Sequence, residues 1–210
     1  MAATPELTPT QRDMDARDWS FGGSWSYEPH WLFTDDIRIH YVDEGPRSPE
    51  AVVLLHGTPF WAFAFRDEIA RLARDGTRVV AYDQLGFGRS DKPERESEYS
   101  LERDVAHLGA LVDALGLQRV TLRSQTSALL VARGFASASG DRVAAVEEVS
   151  EPRLPSVAWR PVVGRVLVKG ARWPIRRAEL TDEERAAYLA PHPSWASRSG
   201  VVASLRRRPS

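Results

Sequence analysis

The stretch Arg119–Leu130, RVTLRSQTSALL, decides the fold. It begins as a short apolar strand pattern, passes through small polar residues and continues as an alanine- and leucine-rich helix pattern. A strand that turns sharply into a helix is the setting of a nucleophile elbow, a strained turn with small residues two before and two after the nucleophile. Only one register fits, with Ser124 and Ala128 as the small pair and Thr126 at the tip. An ordinary strand-to-helix turn is the alternative interpretation.

Strand and helix patterns alternate on both sides of this turn. Ala51–Leu55 is a continuous apolar run, as a strand buried on both faces requires. Arg78–Tyr82 is predicted as the next buried strand and Val143–Val149 as a further strand. Between them, apolar spacing predicts a helix over Arg66–Arg74 and a longer one to about Leu115 that begins after a Ser100 cap. This alternation predicts an α/β fold with a mostly parallel sheet and right-handed crossovers.

An antiparallel hairpin precedes the alternating region. Its strands are predicted at Trp31–Thr34 and Ile37–Val42, with a turn at Asp35-Asp36. His40 alternates with the apolar residues of the second strand, so we interpret it as a strand residue rather than a ligand.

Three small-residue loops follow the predicted parallel strands. They are His56–Pro59, Asp83–Ser90 and Ser124–Ala128. Ligands of such sheets bind at the carboxyl ends of the strands. The sequence therefore predicts that the three loops converge on one crevice.

The chain divides into three segments by composition. Residues 1–29 are polar with scattered aromatics and predict an irregular, partly mobile lead-in, and residues 30–151 form the α/β core. Residues 152–210 are interrupted by prolines and end in a basic tail that we interpret as solvated. Within that segment, Thr181 and Glu184 form a capping-box pattern that opens a short helix, Asp182–Leu189.

Composition excludes several classes of function. The 28 basic and 29 acidic residues leave a net charge of −1, which argues against general electrostatic binding of nucleic acid. The chain has no cysteine, so disulfides, thiolate catalysis and cysteine-based zinc sites are excluded. No run approaches the roughly 18 apolar residues of a membrane span, and the N-terminus resembles no secretory signal, so we expect no membrane partner and a cytoplasmic location. No cofactor or metal is implied, and the oligomeric state is not determined.

The order of these motifs resembles the α/β-hydrolase superfamily, and within it the haloalkane dehalogenases. The resemblance rests on His56–Pro59 (HGTP) with Trp61, on Tyr82–Pro93 (YDQLGFGRSDKP) and on the elbow, and it covers about residues 30–205. It implies an α/β-hydrolase fold that lacks its C-terminal part, with 152–210 as a partial helical cap. The unpaired edge of such a sheet would leave the isolated chain marginally stable, prone to aggregation or completed by a partner.

The resemblance also implies a chemistry. In that group, an elbow aspartate displaces the leaving group, and a histidine then activates water to cleave the ester intermediate. Here Thr126 stands where that aspartate would be, Ser127 where an aromatic N–H would bind halide, and Thr58 where an asparagine often gives the second halide contact. The backbone N–H groups of Thr58 and Ser127 would be the oxyanion donors.

The remaining members of the implied triad are also altered. The position of the triad carboxylate is Ser150, and Glu151 would substitute for it only if the strand end shifted by one residue. The triad histidine belongs after the cap and two further strands, whereas the five histidines of this chain lie elsewhere: His30, His40, His56, His107 and His192. His56 is expected to be structural, and His192 is the candidate substitute base.

These observations leave three functional hypotheses. The first is a dehalogenase-like hydrolase of a small ester or alkyl substrate, impaired by the threonine at the elbow and the missing histidine. The second is a non-catalytic relative that binds a small molecule, and the third is a truncated product without a function of its own. Thr126 as nucleophile and Glu151 as acid belong to the first hypothesis only.

Overall fold

A computed structural model describes residues 9–34, 37–151, 169, 175 and 179–206. The strands are β1 (His30–Thr34), β2 (Ile37–Glu44), β3 (Glu50–Leu55), β4 (Val79–Tyr82), β5 (Arg119–Gln125) and β6 (Val143–Val149). The helices are α1 (Pro9–Asp15), α2 (Arg66–Arg74), α3 (Leu101–Ala114), α4 (Leu129–Ser139), α5 (Asp182–Leu189) and α6 (Ser199–Arg206). Short 3₁₀ turns cover Phe21–Gly23, Ala62–Phe65, Glu96–Glu98, Thr126–Ala128, Gly140–Arg142 and Ala196–Arg198.

The strands form one mixed sheet in the order β1-β2-β4-β3-β5-β6. β1 and β2 make the predicted antiparallel hairpin, β2 is antiparallel to β4, and the pairs from β4 through β3 and β5 to β6 are parallel. β3 and β4 are central and carry the continuous apolar runs, because a strand covered by helices on both faces has no solvent side. The predicted α/β fold, with a mostly parallel sheet, is confirmed.

Each face of the sheet is covered by its own hydrophobic cluster. On one face, α3 and α4 pack on the strands through helix side chains that include Leu108, Leu111 and Phe135. On the other face, α2, the N-terminal aromatics and α5 pack around Trp61 and Phe63. The sheet is therefore the middle layer of three, and its loops at the carboxyl ends of β3, β4 and β5 are held by both layers.

Two helices begin at the predicted capping residues. Ser100 Oγ accepts a hydrogen bond from the N–H of Arg103 at the start of α3. At α5, Thr181 Oγ1 accepts from the Glu184 N–H while the Glu184 carboxylate accepts from the Thr181 N–H, which is a capping box. These side chains satisfy backbone donors that lack a partner within the helix.

The N-terminal segment is packed against the core. Over residues 9–29 the structure contains α1 and the 3₁₀ turn Phe21–Gly23 and is otherwise irregular, and it buries Met14, Trp19 and Trp25. Trp19 and Trp25 pack on Trp61, with ring centroids 5.5 and 5.0 Å apart. The scattered aromatics have no helical or strand period, because they pack individually onto a surface formed by distant residues.

At the other side of the sheet, β6 pairs with β5 and forms the edge among the described strands. The expected turn at 35–36, residues 1–8, most of the proline-rich part of 152–178 and the basic tail 207–210 lie outside the described residues. The partial-cap interpretation and the marginal stability stay predictions.

Candidate active site

Backbone hydrogen bonds join the three predicted loops at the carboxyl ends of β3, β4 and β5. The Gly57 N–H donates to Gln125 Oε1 at 2.6 Å, and the Gln84 N–H donates to His56 Nε2 at 3.0 Å. The Thr58 N–H donates to Ser127 Oγ at 2.8 Å. The predicted convergence of these loops is confirmed.

The turn after β5 is relaxed rather than strained. The backbone stays extended at Gln125, turns through Thr126–Ala128 and enters α4 at Leu129. Among described non-glycine residues, only Phe21 has a positive φ. The tip residue therefore lacks the left-handed conformation in which backbone strain is stored.

Thr126 points away from the loop donors. Its side chain is exposed, and its Oγ1 donates to Glu148 Oε1 at the end of β6, at 2.6 Å. The structure thus pairs the predicted nucleophile position with Glu148, not with the predicted acid Glu151. The role of Thr126 as nucleophile stays a prediction.

Ser127 and Glu151 meet in front of the predicted oxyanion donors. Ser127 Oγ donates to Glu151 Oε2 at 2.9 Å, and the Ser127 N–H makes a longer contact of 3.4 Å to the same oxygen. Ser127 Oγ also accepts the N–H of Thr58. Three of the four predicted site residues, Thr58, Ser127 and Glu151, are therefore brought together.

Gly57 allows this close packing. A Cβ on residue 57 would overlap Glu151 Oε2 and Ser127 Oγ. Glycine is needed here because a side chain would displace the carboxylate and the hydroxyl from the backbone donors.

A cavity of about 570 Å³ opens beside this cluster, within the size range of small-molecule sites. Its apolar wall is formed by Leu101, Leu129, Leu130 and Val131. Its polar residues include Thr58, Gln84, Asp104, Thr126, Ser127, Arg133, Glu151 and Ser204. Ser204 belongs to α6, and its Oγ lies 2.5 Å from Thr58 Oγ1.

Sequence reasoning missed three of these polar residues: Asp104, Arg133 and Ser204. Asp104 is buried on α3, where its spacing is that of a helix residue and carries no sign of a cavity. Ser204 lies in an apolar helix far along the chain, and only the three-dimensional contact with Thr58 connects it to the site.

Three of the five histidines, His40, His56 and His192, have structural partners. His56 is completely buried, with Nδ1 2.9 Å from the Gly57 carbonyl and Nε2 accepting from Gln84. His40 is also completely buried and contacts the Asp83 carboxylate, so it is a strand residue, as predicted. His192, the candidate substitute base, has Nδ1 3.1 Å from the Ser197 carbonyl. Among the described residues that line the cavity there is no histidine.

Burial lowers the pKa of His56, because an imidazolium would lose its hydration there. Attraction to the Asp83 carboxylate opposes this effect without reversing it. A neutral ring is consistent with Nε2 accepting a hydrogen bond and Nδ1–H donating to the Gly57 carbonyl. His56 therefore holds two loops together.

The described part of the chain contains neither a metal-binding cluster nor a membrane-spanning helix. Within the described ranges, no group of three or more His, Asp or Glu side chains is arranged to hold a metal ion. In the same part of the chain, no helix has the length and apolar character to cross a membrane. The absence of a cofactor and the cytoplasmic location stay predictions from the sequence.

Comparison with known proteins identifies the relatives of this chain. Residues 50–122 match the family model described as alpha/beta hydrolase fold. A haloalkane dehalogenase of Mycolicibacterium paratuberculosis is 36% identical over 186 residues, and one of Psychrobacter cryohalolentis is 38% identical over 144 residues. These alignments cover 81% and 66% of this chain but 60% and 46% of the relatives, so the chain spans about half to three fifths of their length.

The fold comparison agrees with the sequence comparison. The haloalkane dehalogenase DatA of Agrobacterium tumefaciens superposes with a TM-score of 0.71 and 29% identity, over 90% of this chain and 70% of that one. The residues that the family model matches include the loops that carry Thr58 and Gln84. The chain belongs to the α/β-hydrolase superfamily and is a relative of the haloalkane dehalogenases.

Proposed function

We propose that this chain binds a small, largely apolar molecule in the cavity beside Ser127, and that it does not carry out the dehalogenase reaction of its relatives. The observation that supports this proposal is the contact between Ser127 and Glu151. It fills, with the protein's own groups, the space in front of the Thr58 N–H where a reacting group would need free donors.

The nucleophile position supports the same proposal. Displacement of a halide from carbon needs a strong nucleophile, such as an ionised carboxylate, whereas a threonine hydroxyl must first lose a proton to a base. Thr126 Oγ1 donates its hydrogen bond to the Glu148 carboxylate. A carboxylate is a weak base toward an alcohol, so Thr126 is held as a hydrogen-bond donor and not as an alkoxide.

The cavity supports binding without chemistry. Its leucine and valine wall would gain contact with an aliphatic ligand, and its polar end offers hydroxyl and amide groups for orientation. No imidazole lines it among the described residues, and general-base assistance is worth roughly 10²- to 10⁴-fold in rate.

Weak ester hydrolysis is the second candidate. It is favoured by the backbone N–H groups of Thr58 and Ser127, which lie at the end of the cavity and donate to Ser127 Oγ and to Glu151 Oε2, respectively. Preorganised donors of this kind stabilise an oxyanion even where a triad is incomplete.

The test uses the purified chain with its Thr126→Asp and Thr126→Ala variants. Halide release from 1-bromobutane and hydrolysis of p-nitrophenyl acetate would be measured beside binding of 1-butanol by saturation-transfer NMR. We expect 1-butanol to bind all three proteins, and halide release to equal that of buffer. Halide release by the wild type that disappears in Thr126→Ala would overturn the proposal, as would the absence of any 1-butanol binding.

A further inference from the structure

Glu151 sits where an anionic ligand would be expected. One of its carboxylate oxygens, Oε2, contacts both the hydroxyl and the backbone N–H of Ser127. The hydroxyl in turn accepts the Thr58 N–H, which fixes its orientation, so both donors to the carboxylate oxygen belong to Ser127. A hydroxyl and a backbone N–H that donate to the same oxygen are a usual means of binding a carboxylate or an oxyanion.

The carboxylate is tethered but not built into the core. Glu151 lies two residues after the end of β6, and its side chain is partly exposed. A displaced carboxylate would therefore return to water without leaving a buried charge unpaired.

The cavity extends from these donors along an aliphatic wall. Leu101, Leu129 and Val131 form part of that wall, and the exposed guanidinium of Arg133 also lines the cavity. The buried carboxyl of Asp104 is the other acidic group on the wall besides Glu151. With Glu151 displaced, Arg133 and Asp104 balance each other, and the donors at Ser127 are free to receive a negative charge.

We propose that the hydroxyl and the backbone N–H of Ser127, with the hydroxyl oriented by the Thr58 N–H, form a carboxylate-binding site, which Glu151 occupies in the unliganded chain and which a small aliphatic monocarboxylate occupies by displacing it. The inference rests on the proposed binding function, because it names the ligand class of the same cavity. The carboxylate of the ligand takes the place of Glu151 Oε2 against Ser127, and its alkyl chain lies along the leucine wall.

Because Glu151 belongs to the same chain, it competes with a free carboxylate at a fixed effective concentration. A group attached near its own binding site acts at an effective concentration in the millimolar range. A free carboxylate must displace Glu151 before it can bind. The wild type therefore binds the carboxylate more weakly than a variant that lacks the Glu151 side chain. Removal of Glu151 should tighten binding of a carboxylate while leaving binding of a neutral ligand of the same shape nearly unchanged.

The experiment compares wild type, Glu151→Ala and the matched control Glu148→Ala. Glu148 is an acid at the end of the same strand, is exposed and contacts Thr126 rather than the donors. Titrations with sodium butyrate, 1-butanol and butylammonium chloride would be followed by calorimetry at constant ionic strength. We expect Glu151→Ala to bind butyrate at least about tenfold more tightly than wild type, with little change for 1-butanol.

Two further variants keep the test decisive. Glu151→Gln keeps the length of the side chain and removes its charge, so it should also gain butyrate affinity if the alanine variant fails to fold. Adding Ser127→Ala to Glu151→Ala removes the hydroxyl and should abolish most of the gain.

Each alternative result has a separate meaning. If 1-butanol binds every protein but butyrate binds Glu151→Ala and Glu148→Ala equally, the carboxylate site is overturned and the binding function stands. The same holds if Glu151→Ala prefers butylammonium. If neither 1-butanol nor butyrate binds any folded variant, both proposals are overturned.

Discussion

His40 Nδ1 lies 2.7 Å from Asp83 Oδ2, and both side chains are completely buried. The Asp83 carboxylate also accepts the backbone N–H groups of Ala62 at 2.9 Å and Arg89 at 2.8 Å. One carboxylate therefore ties β2 to the loops that follow β3 and β4. Burial alone would raise the pKa of Asp83, but attraction to His40 and the hydrogen bonds outweigh it and lower the pKa to about 2.

This lowered pKa predicts acid sensitivity in a defined range. The folded-state pKa lies below the unfolded value of about 3.9, so the stabilisation is fully present above about pH 4 and is lost as the pH falls toward 2. We expect the free energy of unfolding to fall by roughly 2 kcal/mol over this range on account of Asp83. Urea unfolding at closely spaced pH values would measure it.

Asp83→Asn is the matching variant. Its amide would turn one acceptor into a donor facing other donors, so we expect a loss of about 3 to 5 kcal/mol at pH 7. The variant should also lose the part of the pH dependence that belongs to residue 83. An unchanged slope between pH 4 and 2 would contradict the assignment.

We expect a side chain at position 88 to be destabilising for two reasons, whereas only one of them applies at position 76. Both glycines have positive φ, but a Cβ at Gly88 would overlap the Asp83 carboxylate, whereas nothing lies within 4 Å of a Cβ at Gly76. Gly76→Ala should lose about 1 to 2 kcal/mol of stability through backbone strain alone. Gly88→Ala should lose more than about 3 kcal/mol, since the carboxylate is fixed by three hydrogen bonds.

Denaturation of the two glycine variants side by side would measure the difference. Equal losses would mean that the Asp83 carboxylate moves aside easily, which would contradict its role as a fixed junction between loops.

For the capping box of α5, we expect a smaller change in the free energy of unfolding. Thr181→Ala should lower the free energy of unfolding by about 1 kcal/mol, because the Glu184 N–H loses its acceptor. Glu183→Ala, an exposed acid in the same turn that takes no part in the box, should change it by less than about 0.5 kcal/mol. Amide hydrogen exchange within α5 would show whether the loss is local. Faster exchange in Glu183→Ala than in Thr181→Ala would argue against the cap.

Trp61 connects the core to α5. It is completely buried, and its indole N–H donates to the Ala187 carbonyl at 3.0 Å. Trp61→Phe should lower stability by about 1 to 3 kcal/mol, through the lost hydrogen bond and the space left by the smaller ring. Trp195→Phe, at a side chain that is 51% exposed, is the control and should have little effect on the melting temperature.

The sequence predicted the regular elements well where hydrophobic spacing was strong. α2, β6 and α5 have the predicted bounds, because continuous or periodic apolar runs end at clear polar or proline boundaries. The N-terminal aromatics were not predicted to be buried, since Trp19 and Trp25 have no period and pack on Trp61, a residue distant in sequence. Local patterns carry no information about such contacts.

The site was predicted in part. Small-residue spacing located the turn and placed Thr126 at its tip, but it gave no side-chain directions. In the structure the relaxed turn sends Thr126 toward Glu148 and Ser127 toward Thr58 and Glu151. That choice depends on backbone angles over three residues and on the end of β6, which no single-sequence pattern specifies.

The tryptophan cluster also gives the chain an intrinsic optical label. The rings of Trp19 and Trp25 lie 5.5 and 5.0 Å from that of Trp61, close enough for the electronic transitions of the three indoles to couple. Two of these rings belong to the N-terminal segment and the third to the loop after β3. The near-ultraviolet circular dichroism of the folded chain therefore reports directly on whether the N-terminal segment is seated, without any added dye.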